Sequence, residues 1–370
     1  MAQELEASAD PQIMRLPHPV RCDAMVAKHF EMTREMFGPE WPVIERYLRD
    51  PELVLAEACY RLTTENRLPR FQSVASAAEV MPGSTEQGGA FAFCAWLRAH
   101  CLQYSHFKLD DKLVELLERT DIDSSIPVSY MQPPLPFCFI EFGERRDWQT
   151  KIWNSETAWH SIEGCYVERG HHRDVGECLY LVITGSPVGK KHASDDATQS
   201  IILSLADPAA SLEEVIHDAF YKDRDEARRM GLRLSSEDSI SAVVEAVKLV
   251  AKSLLYIGLP DARRALKPER KELEESLNRL KSGGKRAKAA RKLVRAYDYV
   301  LIEAPRDPVK SGEAGGDGRT VKAHWRRGHY RLQRYGAQNA LKKLILLRPT
   351  LVAAGDLGPD EVAPSTYVVR

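Results

Sequence analysis

The segment SSEDSISAVVEAVKLVAKSLLYIG, residues 235–258, constrains the fold of this chain more than any other. Ile240, Val243, Val244, Val247, Val250, Ala251, Leu254 and Leu255 recur at helical spacing, and Gly258 closes the run. An apolar face that wide must be covered, and it is broad enough to lie across one side of a sheet. Strand-like runs precede it. PPLPFCFIEFG places Pro133, Pro134 and Pro136 before an apolar stretch, and WHSIEGCYVERG, ECLYLVITGSP and QSIILSLADP follow. Gly, Asp and His mark the breaks, and no helix-length segment separates the first three runs, which favours an antiparallel sheet over a βαβ array.

The expected fold is therefore α+β: a helical N-terminal region, an antiparallel sheet covered by helices, and a basic C-terminal portion. Residues 1–20, with Pro11, Pro17 and Pro19, read as a flexible or extended arm. Residues 21–125 read as helical. A helix is expected from Asp50-Pro51 through ELVLAEACYRLTT, another in AFAFCAWLRAHCLQY after the loop MPGSTEQGG at 81–89, and a short one in KLVELLERT. Residues 126–258 hold the sheet and its covering helices, one of them opened by a capping box from Ser211 to Glu214. Within SIEGCYV, Glu163-Gly164 marks a bulge where another group comes close. Residues 259–350 form the basic region, with a helical stretch from Arg263 to Arg295 interrupted by SGG, a strand in YDYVLIEAP and a Gly-rich linker at 311–318. Residues 351–370 read as a mobile tail.

The net charge of −1 hides a strong polarity. Residues 263–348 carry 24 Lys/Arg against 9 Asp/Glu, a balance of +15, so the remainder carries −16. Such a division points to a nucleic acid or another anionic partner for the basic part. The start, MAQELEASADPQIM, lacks the basic and apolar stretches of a signal peptide, and no apolar run reaches the ~20 residues of a membrane span. A cytoplasmic protein with no membrane partner is expected. Seven cysteines without a CxxC pair read as reduced thiols, so neither a disulfide framework nor a metal site is expected, and no cofactor is indicated. Cys94, His100 and Cys101 share one helix, which by itself makes no metal site. His171-His172 reads as a turn. TGSPVGKK at 184–191 lacks the spacing of a phosphate-binding loop, and GxGxxG, GxSxG and HExxH are absent.

The densest constellation is HWRRGHYRLQRYG, residues 324–336; between 319 and 348 nine basic residues meet no acid. Guanidiniums contact phosphate through paired hydrogen bonds, and Trp and Tyr rings stack on unpaired bases. Arg326, Arg327, Arg331 and Arg334, with Trp325, Tyr330 and Tyr335, are thus candidates for RNA contact. His324 and His329 are candidate general acid and base for metal-free RNA cleavage. A third reading makes the block structural framework, with its arginines paired to the acidic body. Gly328 argues for two short strands rather than one helix. KSGGKRAKAARKLVRAYDY adds a second basic element, in which Lys285, Arg286, Lys288, Arg291, Lys292 and Arg295 share one helix; Lys285, Arg286, Lys288 and Arg291 are the leading candidates for phosphate contact. A solvated charged face is the competing reading there.

PPLPFCFIEFG, IEGCYVERG and AHWRRGHYRLQRYG with KLILLRPTLV together resemble a family of phage- and plasmid-borne type V-A anti-CRISPR proteins, over residues 133–350. The resemblance implies a bacterial host cytoplasm and an unusual activity. Such a protein recognises the nascent N-terminal peptide of the type V-A CRISPR effector nuclease and triggers degradation of its mRNA during translation. The partners implied are that peptide, the ribosome or mRNA, and a host ribonuclease. An acidic body suits a basic peptide, and the sheet edge expected near Phe137–Phe142 suits addition of an extended chain. Phe137, Phe139, Glu141 and Glu163 are accordingly the candidate peptide contacts. Two alternatives stay open: a metal-independent endoribonuclease, and a plasmid or phage nucleic-acid-binding accessory protein.

Overall fold

A computed structural model describes residues 13–25, 28–73, 85–143, 150–154, 158–187, 197–221, 237–281, 283–305, 324–326, 328–348 and 350–352. The N-terminal part supplies α1 (His18–Met25), α2 (His29–Phe37), α3 (Trp41–Leu48), α4 (Leu55–Tyr60) and α5 (Thr85–Leu102). Then come β1 (Ser105–Leu109), α6 (Asp111–Glu118), β2 (Thr120–Ile122), β3 (Phe137–Glu141), β4 (Lys151–Asn154), β5 (Ala158–His172), β6 (Gly176–Pro187) and β7 (Ala197–Ser204). α7 (Leu212–Tyr221), α8 (Glu237–Ile257), β8 (Arg263–Pro268), α9 (Glu269–Arg279), α10 (Gly284–Leu293) and β9 (Asp298–Glu303) follow. β10 (His324–Arg326), β11 (Gly328–Tyr335), β12 (Leu341–Leu347) and β13 (Thr350–Val352) complete the chain's strands.

Seven strands run in the order β7-β6-β5-β3-β1-β9-β8, with β4 paired to the start of β5. The fold is α+β, but the sheet is mixed. β1 lies parallel to both β3 and β9, while the remaining pairs are antiparallel. The link from β1 to β3 runs through α6 and β2, long enough for the crossover that a parallel pair needs. Local patterning does not reveal this, because SHFKL is short and sits between helices.

Helices cover both faces. On one side α8 buries Val243, Val247, Val250, Leu254 and Leu255 against Cys138, Ile140, Cys165, Val167, Leu179, Leu181 and Ile183. On the other, α3, α4 and α5 bury Trp41, Ile44, Leu55, Trp96 and Leu97 against Phe137, Phe139, Tyr166, Tyr180 and Val182. Alternate residues of β3, β5 and β6 thus feed two cores, which is why these strands read as nearly continuous apolar runs. The Glu163-Gly164 bulge is present as a register shift between Ile162 and Gly164. A Cβ at Gly164 would press into the Phe139 ring and lie 2.8 Å from the Ile140 carbonyl oxygen. The capping box is present too: the Ser211 amide donates to Glu214 at 2.7 Å, and the Glu214 amide to the Ser211 hydroxyl at 3.2 Å.

Several expectations change. The arm of residues 1–20 is ordered into the fold at its end, where residues 17–20, His18 and Val20 among them, are buried at the start of α1; residues 1–12 lie outside the described residues. The helical region 21–125 contains β1, an internal strand of the sheet between β3 and β9. The boundary at 258 is likewise crossed by β8 and β9. Arg263–Pro268 is a strand, not the start of a basic helix. Residues 85–89, expected in a loop, belong to α5. The helix expected at Asp50-Pro51 begins only at Leu55, because its cap comes from afar: Glu168 accepts a 2.9 Å hydrogen bond from the Leu55 amide. Meanwhile Val54 donates to the His171 carbonyl, and Arg98 donates to the carbonyls of Leu48 and Asp50 at 3.0 Å. These contacts hold residues 48–54 out of the helix. Of the tail, Leu351 and Val352 belong to β13, and residues 353–370 lie outside the described residues.

Candidate nucleic-acid interface

The block 324–336 forms two strands, as its glycine suggests. β10 pairs antiparallel with β13, whereas β11 lies between β12 (antiparallel) and β2 (parallel) in a three-stranded sheet. The root of the β11–β12 hairpin is part of the core: Leu332, Leu344 and Leu346 pack against the cluster beneath α8. Its outer half is different. Arg331, Gln333, Arg334, Tyr335, Lys342 and Lys343 are all exposed. Arg334 stands directly opposite Lys342, and Gln333 opposite Lys343. Like charges facing each other across a strand pair repel. Yet Arg331, Arg334 and Lys342 have no carboxylate or hydrogen-bond partner among the described residues, and Lys343 lies only over the Tyr335 ring, 5.6 Å from its centre. Among the described residues, the cations of this hairpin face solvent rather than the acidic body. Lys342 and Lys343 escaped the motif reading because they sit on the return strand; the KK inside LKKLILL was their only signal.

Tyr330 is a correction. Its side chain is fully buried, and its hydroxyl donates to the Lys252 carbonyl of α8 at 2.9 Å. A ring in the core cannot stack on a base. Tyr335, 43% exposed at the hairpin end, can. The two histidines fall into separate sheets, His324 in β10 and His329 in β11. His329 is half-buried near Asp123, whose carboxyl is held low by hydrogen bonds from Ser125 and, less, by the charge of His329. Trp325 and Arg326 belong to β10, and Arg327 lies outside the described residues.

The second basic element projects as a helical pair, α9 and α10, inserted between the edge strand β8 and its neighbour β9. Lys285, Arg286, Lys288 and Arg291 are exposed on α10. Arg286 is partly spent within the protein, donating to the carbonyls of Leu277 at 2.7 Å and Leu280 at 3.0 Å. Lys288 and Arg291 line a cavity between the two helices, together with Lys292 and Arg295 of the same basic run.

The candidate peptide contacts do not form a surface. β3 is internal, flanked by β5 and β1, so Phe137–Phe142 offers no open edge. Phe137, Phe139, Glu141 and Glu163 are all buried. Glu141 accepts from His106 Nε2 and the Tyr297 hydroxyl, both at 2.9 Å, with Lys108 Nζ 3.0 Å away. Burial alone would raise this carboxyl, but His106 and Lys108 outweigh it and hold it low. Glu163 is held by Arg21 on α1 and by the Ser186 hydroxyl. The two acids serve the fold, a role that sequence could not separate from binding.

All seven cysteines are free thiols, five of them buried. Among the described residues no group of three His, Cys, Asp or Glu could hold a metal ion, and no helix is long and apolar enough to cross a membrane.

Residues 107–354, two thirds of the chain, match the model of the AcrVA2-like family, the anti-CRISPR type V subtype A2 family. The chain belongs to this family. The AcrVA2-like match begins in β1 and ends just beyond β13, so it takes in the whole mixed sheet, the helical pair and the cationic hairpin, and leaves α1–α5 outside. A solved structure described as the crystal structure of AcrVA2 is similar at 14% identity and a TM-score of 0.41, covering 88% of this chain and 98% of that one. No curated protein sequence matches the chain.

Proposed function

We propose that this AcrVA2-like protein silences a type V-A CRISPR effector nuclease while the effector is being made, by binding its nascent N-terminal peptide and promoting decay of its message. The observation that supports this reading is the outer half of the β11–β12 hairpin. Four cations stand on two paired strands, Arg334 and Lys342 on one face and Arg331 and Lys343 on the other, with no carboxylate partner among the described residues. Such an arrangement is costly alone and favourable against a polyanion such as ribosomal or messenger RNA. Tyr335 adds an exposed ring beside them. Trp325, Arg326 and Arg327 extend the same assignment. The acidic remainder of the chain complements a basic peptide, but the contact lies away from β3, whose residues are buried.

The test is effector transcript abundance in cells that co-express the protein, beside two recoded effector genes. Loss of the native message, survival of a message encoding altered N-terminal amino acids, and loss of a synonymously recoded one are expected. If synonymous recoding restores the message, nucleotide sequence is what is read, and the peptide reading is wrong. If no message falls, the protein acts at another step. Incubating the purified protein with RNA in EDTA addresses direct cleavage: intact RNA is expected, and cleavage lost in His324→Ala or His329→Ala would replace this reading with a ribonuclease.

A further inference from the structure

α9 and α10 leave an open cleft between them, lined by exposed charged side chains over a less exposed apolar floor. Its volume is about 750 Å³, within the range of small-ligand sites. On α10, Lys288, Arg291 and Lys292 recur at i, i+3 and i+4, so all three point to the same side. α9 presents Glu269, Glu272 and Leu273 with the same spacing, and the buried Ala296 adds an apolar wall. Helices that pack face to face normally fill such a seam with apolar side chains. Here charged groups line it. Lys288, Arg291 and Lys292 have no partner among the described residues.

The walls are held in place. Asp298 of β9 accepts from the amides of Arg270 at 2.9 Å and Lys271 at 3.2 Å, capping the start of α9. Arg286 caps the other end of α9 through the Leu277 and Leu280 carbonyls. The Tyr299 hydroxyl donates to Glu269 at 2.8 Å and so fixes one carboxylate at the cavity wall. A site whose walls are fixed before binding loses less ordering entropy when it is occupied.

We infer that this cleft binds a nucleotide, its phosphate on Lys288, Arg291 and Lys292, its base against Leu273 and Ala296, and its ribose hydroxyls on Glu272 and Glu269. Phosphate alone would leave Glu272 facing it without a use, whereas ribose hydroxyls and base amino groups donate to carboxylates. The nucleotide's source is either a free nucleotide or one unit of a single-stranded RNA. This inference does not rest on the translational reading.

The full-length protein is titrated calorimetrically, at about physiological salt, with ADP, with inorganic phosphate and with a five-nucleotide single-stranded RNA. Binding of ADP or the RNA, with phosphate at least tenfold weaker, is expected. Binding of ADP alone assigns a free nucleotide; binding of the RNA alone assigns a strand. Lys288→Gln with Arg291→Gln should weaken binding at least tenfold. Leu273→Trp should do the same by filling the cleft at unchanged charge, with its circular dichroism melt confirming the fold; Leu273→Ala serves if the larger side chain unfolds the hairpin. Arg270→Gln with Arg279→Gln, on the same hairpin but outside the cavity, should change affinity less than twofold. No binding of either nucleotide probe overturns the proposal. So does phosphate binding equal to ADP, or a loss in the Arg270/Arg279 variant matching that of the cleft variants.

Discussion

Arg21 and Glu163 face each other through two hydrogen bonds, 3.0 and 2.9 Å long, across 142 positions of sequence. The guanidinium side chain is only 2% exposed, and it also donates to the Leu16 carbonyl at 2.6 Å. This pair fastens α1 to the bulge in β5. Burial would raise Glu163, but Arg21 overrides it and keeps the carboxyl ionised.

Removing one partner strands a buried charge, so Arg21→Met should destabilise the protein by about 3–5 kcal/mol. The double variant Arg21→Met/Glu163→Leu should recover much of that loss. Chemical denaturation of the four proteins of the cycle measures both effects, and a double variant as unstable as the sum of the singles would show that the pair is not coupled.

His18 reports on the same region. Its Nδ1 lies 2.8 Å from the Tyr166 hydroxyl, and burial, assisted by the charge of Arg21, lowers its pKa to about 4. A histidine depressed by folding contributes stability above its unfolded pKa near 6.5, and that contribution is lost as pH falls toward 4. Glu163, also depressed, adds to the loss in acid. The shift corresponds to roughly 3 kcal/mol. The stability difference between the native protein and His18→Gln, measured by denaturation at each pH, should therefore shrink as pH falls from 6.5 toward 4, and a difference that does not change with pH would show that His18 does not titrate with unfolding.

Tyr330→Phe removes only the hydroxyl that donates to the Lys252 carbonyl. A cost of about 1–2 kcal/mol is expected, with RNA affinity unchanged. Reduced affinity with unaltered stability would put the Tyr330 hydroxyl among the RNA contacts instead.

The opposed pair Arg334 and Lys342 predicts a trade between stability and binding. Arg334→Gln relieves a repulsion of about 0.2–1 kcal/mol, so the variant should melt at the same temperature or slightly higher. Combined with Arg331→Ala, it should weaken RNA binding and lower the slope of log affinity against log salt by about 1 to 2. An unchanged salt slope would remove the hairpin from the RNA surface.

The AcrVA2-like fold was legible wherever one element's own pattern carried the information. The apolar stripe of α8, the box from Ser211 to Glu214, the bulge at Gly164 and the break at Gly328 are local features, set by spacing over a few residues. The candidate site was legible by half. Arg331, Arg334 and Tyr335 are exposed as expected, but Tyr330, one position from Arg331, points into the core because strand neighbours alternate faces.

What sequence alone determined was part of the chain's local grammar: the helical or extended state of its most strongly patterned segments, which of their faces are apolar, and that its C-terminal part is strongly basic. Only the tertiary structure decided that β1 enters the sheet parallel to β3 and β9, that Glu168 starts the helix at Leu55, and which charges are spent on the fold. Periodicity acts over one or two turns of chain. A buried acid is made structural or free by its partners, and these are remote in sequence: Arg21 for Glu163, and both Arg98 and the Leu55 amide for Glu168.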